Sequence, residues 1–262
     1  MSSLGNIDTT LGIALVARCL ASILYGVALA QAYYYFTNLQ DPIITQGVVI
    51  ATILVESAHQ IIICLSGYHY LIESFNSHTN LDIVVWSVIA EVPLNICACL
   101  LVEGYFSLRI WRLTEKNIQA ITPLIILMAS QLALTIAFVY QGSQLSTFTD
   151  LAKLNDLSIA VDVVTLTINI TIATIVSVLL WQSKKGVAYM TDTLTQLIIF
   201  AIGTSVMTSL CVVASLITVI VLPEGSAHRA TLFCMGRLYH NALLFNLNTR
   251  SRNCKASPGC LE

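Results

Sequence analysis

The sequence predicts an all-α, polytopic membrane protein, with seven transmembrane helices in one bundle, the N-terminus outside and the C-terminus cytosolic. Three observations predict it. Of 262 residues, 56% are apolar and only 10% are charged, against about a quarter charged in ordinary globular domains. Mean hydropathy is +0.81 for a chain of 28.6 kDa. Folding in water would bury only about 70–75% of the surface of such a chain, so the bilayer has to be the solvent. The few charges leave long neutral runs between them, and Lys and Arg gather on alternate loops.

A helix crosses the hydrocarbon with about 20 apolar residues, and the neutral runs mark where that can happen. The first span, about 10–35, is free of charge from Cys19 onward after Arg18, and ends on Tyr33, Tyr34, Tyr35 and Phe36. Such aromatic rings settle at the headgroup interface. The second, 44–71, carries Glu56 and His59; the third, 83–110, is followed by Trp111. The fourth, 118–141, lies in the uncharged run Asn117–Thr149; the fifth, 157–182, rests on the uncharged run Val163–Ser183 and reaches Trp181, and the sixth, 192–222, rests on the uncharged run Thr193–Pro223. The seventh is 230–248. Continuous apolar runs argue for helices, since barrel strands alternate apolar and polar residues in segments of about ten.

Basic residues near span ends stay on the cytosolic side. Seven spans put Arg109, Arg112, Lys116, Lys184, Lys185, Arg250, Arg252 and Lys255 on one side, eight in all, and only Lys153 and Arg229 on the other. The third and fifth loops and the C-terminus are therefore cytosolic. Residues 1–250 form one seven-helix domain and 251–262 a short cytosolic tail. The expected location is the plasma membrane or the endoplasmic reticulum. Met1–Thr10 lacks the basic region and cleavage site of a signal peptide, so the first span is expected to be retained. Cys19, Cys64, Cys97, Cys99, Cys211 and Cys234 fall within spans, where thiols pack well, and a disulfide framework is not expected. Asn169-Ile170-Thr171 matches a glycosylation sequon but sits mid-span.

Ionisable groups inside a membrane are costly, about 2.5–3.5 kcal/mol each on insertion scales, and each is a functional candidate by default. Glu56 and His59 stand three residues apart, on one helical face. Arg237 and His240 repeat that spacing. Arg18, Glu91 and Asp162 join them between midplane and outer face, while Glu103 sits near the cytosolic end. Two readings follow. Internal pairing would neutralise Glu56, Glu91 and Asp162 against Arg18 and Arg237 and fix helix register. A polar pocket would instead bind a small lipophilic ligand through Arg18, Glu56, His59, Glu91, Asn95, Asp162, Arg237 and His240. If the protein is an enzyme, Glu56 or Asp162 would be the catalytic acid, with His59 tuning Glu56.

Several chemistries are excluded by sequence. No Lys lies in a span, so there is no retinal-type Schiff base. No Gly-rich phosphate loop, HExxH or aspartate-rich magnesium motif occurs, and Cys97-Ala-Cys99 is not a zinc spacing. No cofactor or metal is expected. A net charge of −2 and a pI near 6.2 leave no basic footprint for nucleic acid. The seventh span lacks NPxxY, and the third exits through Ser107-Leu108-Arg109, so a rhodopsin-like mechanism has no motif.

Leu24-Tyr25-Gly26-Val27, Gln31 to Phe36, Glu56-x-x-His59, Trp86-Ser87 with Glu91, Phe106-x-x-Arg109-Ile110-Trp111-Arg112-Leu113, Thr191-Asp192-Thr193 and Gly236-Arg237-Leu238-Tyr239-x-Asn241-x-Leu243-Leu244-x-x-Leu247-Asn248-x-Arg250 resemble the fungal, largely basidiomycete, seven-helix integral membrane domain of unknown function. The resemblance covers about residues 10–250 and implies a fungal seven-span architecture without an assigned activity. The family often has Asp at the position of Glu56 and Lys at that of Arg237, so charge is preserved.

Two classes of function fit these residues. One is a receptor-like or sensory protein with a polar intramembrane pocket and a basic cytosolic face. The other is a membrane-embedded enzyme, such as an isoprenoid cyclase using Glu56 or Asp162, or an accessory protein of a fungal secondary-metabolite pathway. The expected surroundings are the lipid bilayer and a small lipophilic ligand or substrate; the sequence names no cytosolic partner.

Overall fold

A computed structural model describes the backbone of residues 2–39, 41–73, 83–114, 116–183, 191–221 and 227–256, and side chains within 12–39, 41–73, 83–114, 116–179, 203, 205–220 and 233–249. The described chain is helical almost throughout. Its elements are α1 (Ser2–Asn38), α2 (Ile43–Tyr68), α3 (Trp86–Leu113), α4 (Ile118–Gly142), the short α5 (Phe148–Leu151), α6 (Asn155–Ser183), α7 (Thr191–Val221) and α8 (Ala227–Ala256). A π-helical turn, His69–Glu73, extends α2, and a 3-10 turn, Ala152–Leu154, joins α5 to α6. Five described stretches are long and apolar enough to cross a membrane: Gly12–Asn38, Ile43–Glu73, Trp86–Leu113, Ile118–Gly142 and Phe148–Leu179. Ser205–Ile220 is a shorter apolar helix. These helices suit an integral membrane protein, and large aliphatic side chains such as Ile23, Leu54, Ile61, Ile126 and Ile136 stand exposed on their outer faces.

Lys184 and Lys185, expected on the cytosolic face, lie outside the described residues, as does Cys260 of the tail. So do the side chains of Trp181, Asp192, Arg229, Arg250, Arg252, Cys254 and Lys255. The backbone of α8 continues through Ala256, into the stretch expected as a tail.

Helix contacts close a ring, α1–α2–α3–α4–α6–α7–α8 and back to α1, and α3 also meets α6 and α8 across the middle. Side-chain spacing explains the placement. In α2, Thr45, Val49, Thr52, Glu56, His59, Ile63 and Ser66 are buried, an unbroken alternation of four- and three-residue steps that forms one inward stripe. In α1 the inward stripe is alanine, at Ala14, Ala17, Ala21, Ala28 and Ala32, which lets neighbouring backbones approach closely. Helix α3 is inward on much of its circumference, burying Glu91, Asn95, Cys99, Val102, Glu103 and Phe106 among others. Helix α8 carries too many polar groups to face lipid, and it buries Arg237, Tyr239, His240, Asn246 and Asn248 against its neighbours.

Two amides fix the relation of α8 to α1. Asn241 Nδ2 donates to the Leu24 carbonyl and Asn248 Nδ2 to the Gln31 carbonyl, each at 2.9 Å. Residue numbers rise together along both helices, so the two run parallel. Loops at one end are tied as well. The Tyr70 hydroxyl donates to the Ile83 carbonyl at 2.7 Å and accepts from Val85 N–H at 3.1 Å, while Ile83 bridges to Thr147. The α2–α3 and α4–α5 connections therefore share one end of the bundle.

Candidate functional site

The buried polar residues fall into separate groups along the bundle. The central one joins α2, α3 and α8. Arg237 Nε of α8 stands 2.8 Å from Glu56 Oε2 of α2, with both side chains 1% exposed. The N–H does not point along that line, so the contact is an ionic one. On the α1 side, the Tyr25 ring lies 5.1 Å from the Arg237 guanidinium carbon, close enough for a cation–π attraction. The hydroxyls of Tyr25 and Ser57 are 2.7 Å apart.

Gly236 makes this junction close. Its N–H donates to Asn95 Oδ1 at 2.9 Å. A Cβ there would stand 2.6 Å from Asn95 Oδ1 and 3.1 Å from Glu56 Oε1, so no larger residue fits without displacing both. His59 and His240 are buried within electrostatic range of the Arg237 guanidinium. Much hydrogen-bonding capacity remains: Arg237 Nη1 and Nη2, Glu56 Oε1, His59 Nδ1 and both ring nitrogens of His240 have no partner among the described residues. Such atoms are rare in folded interiors. The unpartnered fork of a guanidinium suits an oxygen acceptor.

A second group lies one step along the bundle. Arg18 Nη2 donates to Ser66 Oγ at 3.3 Å, and Ser66 Oγ donates to Glu91 Oε1 at 2.6 Å. The Phe233 ring is 5.4 Å from the Arg18 guanidinium carbon. Asp162 belongs to neither group: its Oδ2 accepts from Ser215 Oγ at 2.7 Å, between α6 and α7. The two expected acids, Glu56 and Asp162, thus occupy different helix interfaces.

Glu103 anchors a fourth group. Fully buried on α3, its carboxyl lies in hydrogen-bonding range of Gln131 and Tyr239, although neither is aligned with it. Gln131 Nε2 donates to Thr165 Oγ1 at 2.8 Å, and the Tyr239 hydroxyl donates to Asn169 Oδ1 at 2.7 Å. Asn169, the sequon residue, is 2% exposed. Beside it, α6 and α7 part to form a groove of about 470 Å³ with predominantly apolar walls.

Of the eight expected ligand-binding residues, Glu56, Asn95 and Arg237 meet at one junction with His59 and His240 beside it, Arg18 and Glu91 meet through Ser66, and Asp162 stands apart. Ser66, Gly236, Ser215, Gln131 and Tyr239 were not expected as site residues. The sequence signal for Gly236 was a helix-interior glycine next to an intramembrane arginine, since such a glycine usually marks close backbone approach. Serine, glutamine and tyrosine carry no comparable mark.

A family of unknown function, DUF6534, matches residues 165–252. That segment holds Asn169, Tyr239, Arg237, His240 and every residue lining the α6–α7 groove. No curated protein matches the chain, and no solved structure matches it.

Proposed function

We propose that this chain is a seven-span membrane receptor or sensor, of the fungal seven-helix kind it resembles, which reads a small lipophilic ligand with one polar end. The ligand's polar group would sit at the Glu56–Arg237 junction, with Asn95, His59 and His240 around it and Arg18 and Glu91 one step further along. One observation carries this reading: a buried ion pair at a three-helix junction whose guanidinium Nη groups, carboxylate Oε1 and His240 ring have no partner among the described residues. A structural staple alone would be expected to satisfy its members from the protein, because a half-satisfied buried network is unfavourable. A ligand oxygen on Arg237 would compete with Glu56 and so bias the packing of α8 against α2. The same helix reaches the basic face, where Arg109 Nη1 donates to Asn246 Oδ1 at 3.3 Å. Movement of α8 would thereby be felt at Arg109, on the side we assign to the cytosol together with Arg112 and Lys116.

The test is to purify the full chain from yeast membranes into nanodiscs and identify co-purifying small lipophiles by mass spectrometry. We expect a species enriched over empty nanodiscs and reduced about tenfold in Arg237→Gln, the order expected for one lost charge-assisted hydrogen bond. Equal content in wild type and in a well-folded Arg237→Gln would overturn the reading. A chemically altered precursor that disappears in Glu56→Gln or Asp162→Asn would replace it with the enzyme alternative.

A further inference from the structure

We infer that the α6–α7 groove is a second binding site, open to the bilayer, for a hydrocarbon-bodied molecule bearing one oxygen that accepts a hydrogen bond from Asn169 Nδ2. The inference is independent of the Glu56–Arg237 reading. The groove, about 470 Å³, falls in the range that takes one small organic ligand, about 300–1,000 Å³. Ile170 and Val178 on α6 and Val206 and Leu210 on α7 line it, and all four are strongly exposed on the outer face of the bundle. In a bilayer this rim faces acyl chains, so access runs sideways from lipid.

Two observations make the groove more than a seam between helices. The hydroxyl protons of its α6 wall are already engaged: Thr174 Oγ1 donates to the Ile170 carbonyl at 2.7 Å and Ser177 Oγ to the Ala173 carbonyl at 2.6 Å. These residues thus present little but hydrocarbon and spare lone pairs. At the groove's inner side is Asn169, which is 2% exposed. Its Oδ1 accepts a hydrogen bond from the Tyr239 hydroxyl, and its Nδ2 has no partner among the described residues. An amide donor left unused in an apolar interior costs about 1–3 kcal/mol, and a carbonyl or hydroxyl oxygen on a lipophile would satisfy it. A plain acyl chain or a pure hydrocarbon would not. Tyr239 ties this amide to α8, so occupancy is felt on that helix as well.

The experiment uses the full chain in nanodiscs with a photoactivatable, alkyne-tagged farnesol, followed by peptide mapping of the adduct. Adducts are expected on the α6 and α7 walls. Unlabelled farnesol should compete at least about tenfold better than farnesane, its oxygen-free counterpart, and Asn169→Leu should lower labelling by about the same factor. Ala173→Phe fills the groove and leaves the Asn169–Tyr239 bond in place, so it decides the matter should Asn169→Leu fold poorly; labelling should fall to the background of empty nanodiscs. Equal competition by farnesane, or undiminished labelling in Ala173→Phe, would overturn the inference. Labelling lost in Arg237→Gln but kept in Ala173→Phe would place the lipophile at the other site.

Discussion

Gly236 packs directly against Asn95 of α3 and Glu56 of α2, and a single methyl group there should be felt at once. The added carbon would lie 2.6 Å from Asn95 Oδ1 and 3.1 Å from Glu56 Oε1, both belonging to buried side chains with little room to move. Gly236→Ala is expected to lower stability by about 1–3 kcal/mol, the usual cost of overpacking. Gly203→Ala, where a Cβ would meet nothing within 4 Å, should be neutral or slightly stabilising. Thermal unfolding of both variants in the same detergent checks this; equal melting temperatures would contradict the tight junction. The Glu56–Arg237 pair makes a second residue-level prediction. Removing one partner strands a buried charge and typically costs about 3–5 kcal/mol, whereas replacing both with apolar groups can be neutral. Glu56→Leu and Arg237→Met should each destabilise strongly, and the double variant should be more stable than either. A double variant as unstable as the sum of the singles would mean that the two side chains act independently.

At the scale of the helix, legibility depended on periodicity. The stripe of α2 could be read from sequence because Glu56 and His59 share a face set by helix geometry alone, and the structure buries both. Ends of elements were less legible: α1 begins at Ser2 and α8 runs to Ala256, since a hydropathy boundary marks where lipid ends and a helix can continue into water. The partners of each polar residue were not legible, because Ser66, Gln131 and Ser215 are ordinary span residues until the fold places a carboxylate or hydroxyl opposite them. The α6–α7 groove left no trace in sequence, its walls being common aliphatic and hydroxyl residues. Helix α8 is read as a span from the apolar stretch Ala230–Leu247, and the structure sets its many polar side chains against α1, α3 and α7. Its amides supply a prediction for the element. Asn241 and Asn248 bond α1 carbonyls seven residues apart, about 10 Å along the axis, too far for coupling. Asn241→Ala and Asn248→Ala should each cost about 0.6–2 kcal/mol and the double variant their sum within about 0.5 kcal/mol. Unfolding by titration of a denaturing detergent measures it, and strong non-additivity would show that α8 detaches from α1 as one unit.

For the whole molecule, the pairing of the first and last long helices constrains the threading. Helices α1 and α8 are parallel, by the register of Asn241 with Leu24 and of Asn248 with Gln31. Two parallel helices that both cross a bilayer are separated by an odd number of intervening spans, and in the proposed seven-span threading α2, α3, α4, α6 and α7 would supply five. In that threading the start of α1 and the end of α8 lie on opposite sides. The basic residues propose which: eight stand at the ends of the third, fifth and seventh expected spans, against two in the remaining loops, with Arg18 and Arg237 inside spans, and such an excess is the mark of a cytosolic side. The tied loops agree, since the Ile83–Thr147 bridge unites two connections that this threading places together on the outer side. An epitope at the N-terminus should therefore be reached by antibody or protease from outside intact cells, or from the lumen of sealed microsomes, and one at the C-terminus only after permeabilisation. Cysteines introduced at Lys153 and at Arg112 should react with a membrane-impermeant maleimide from opposite sides. Two tags on the same side would break the odd crossing and the parallel placement of α1 and α8; tags on opposite sides in the reverse sense would keep the bundle and invert only the face at which Arg109 meets Asn246.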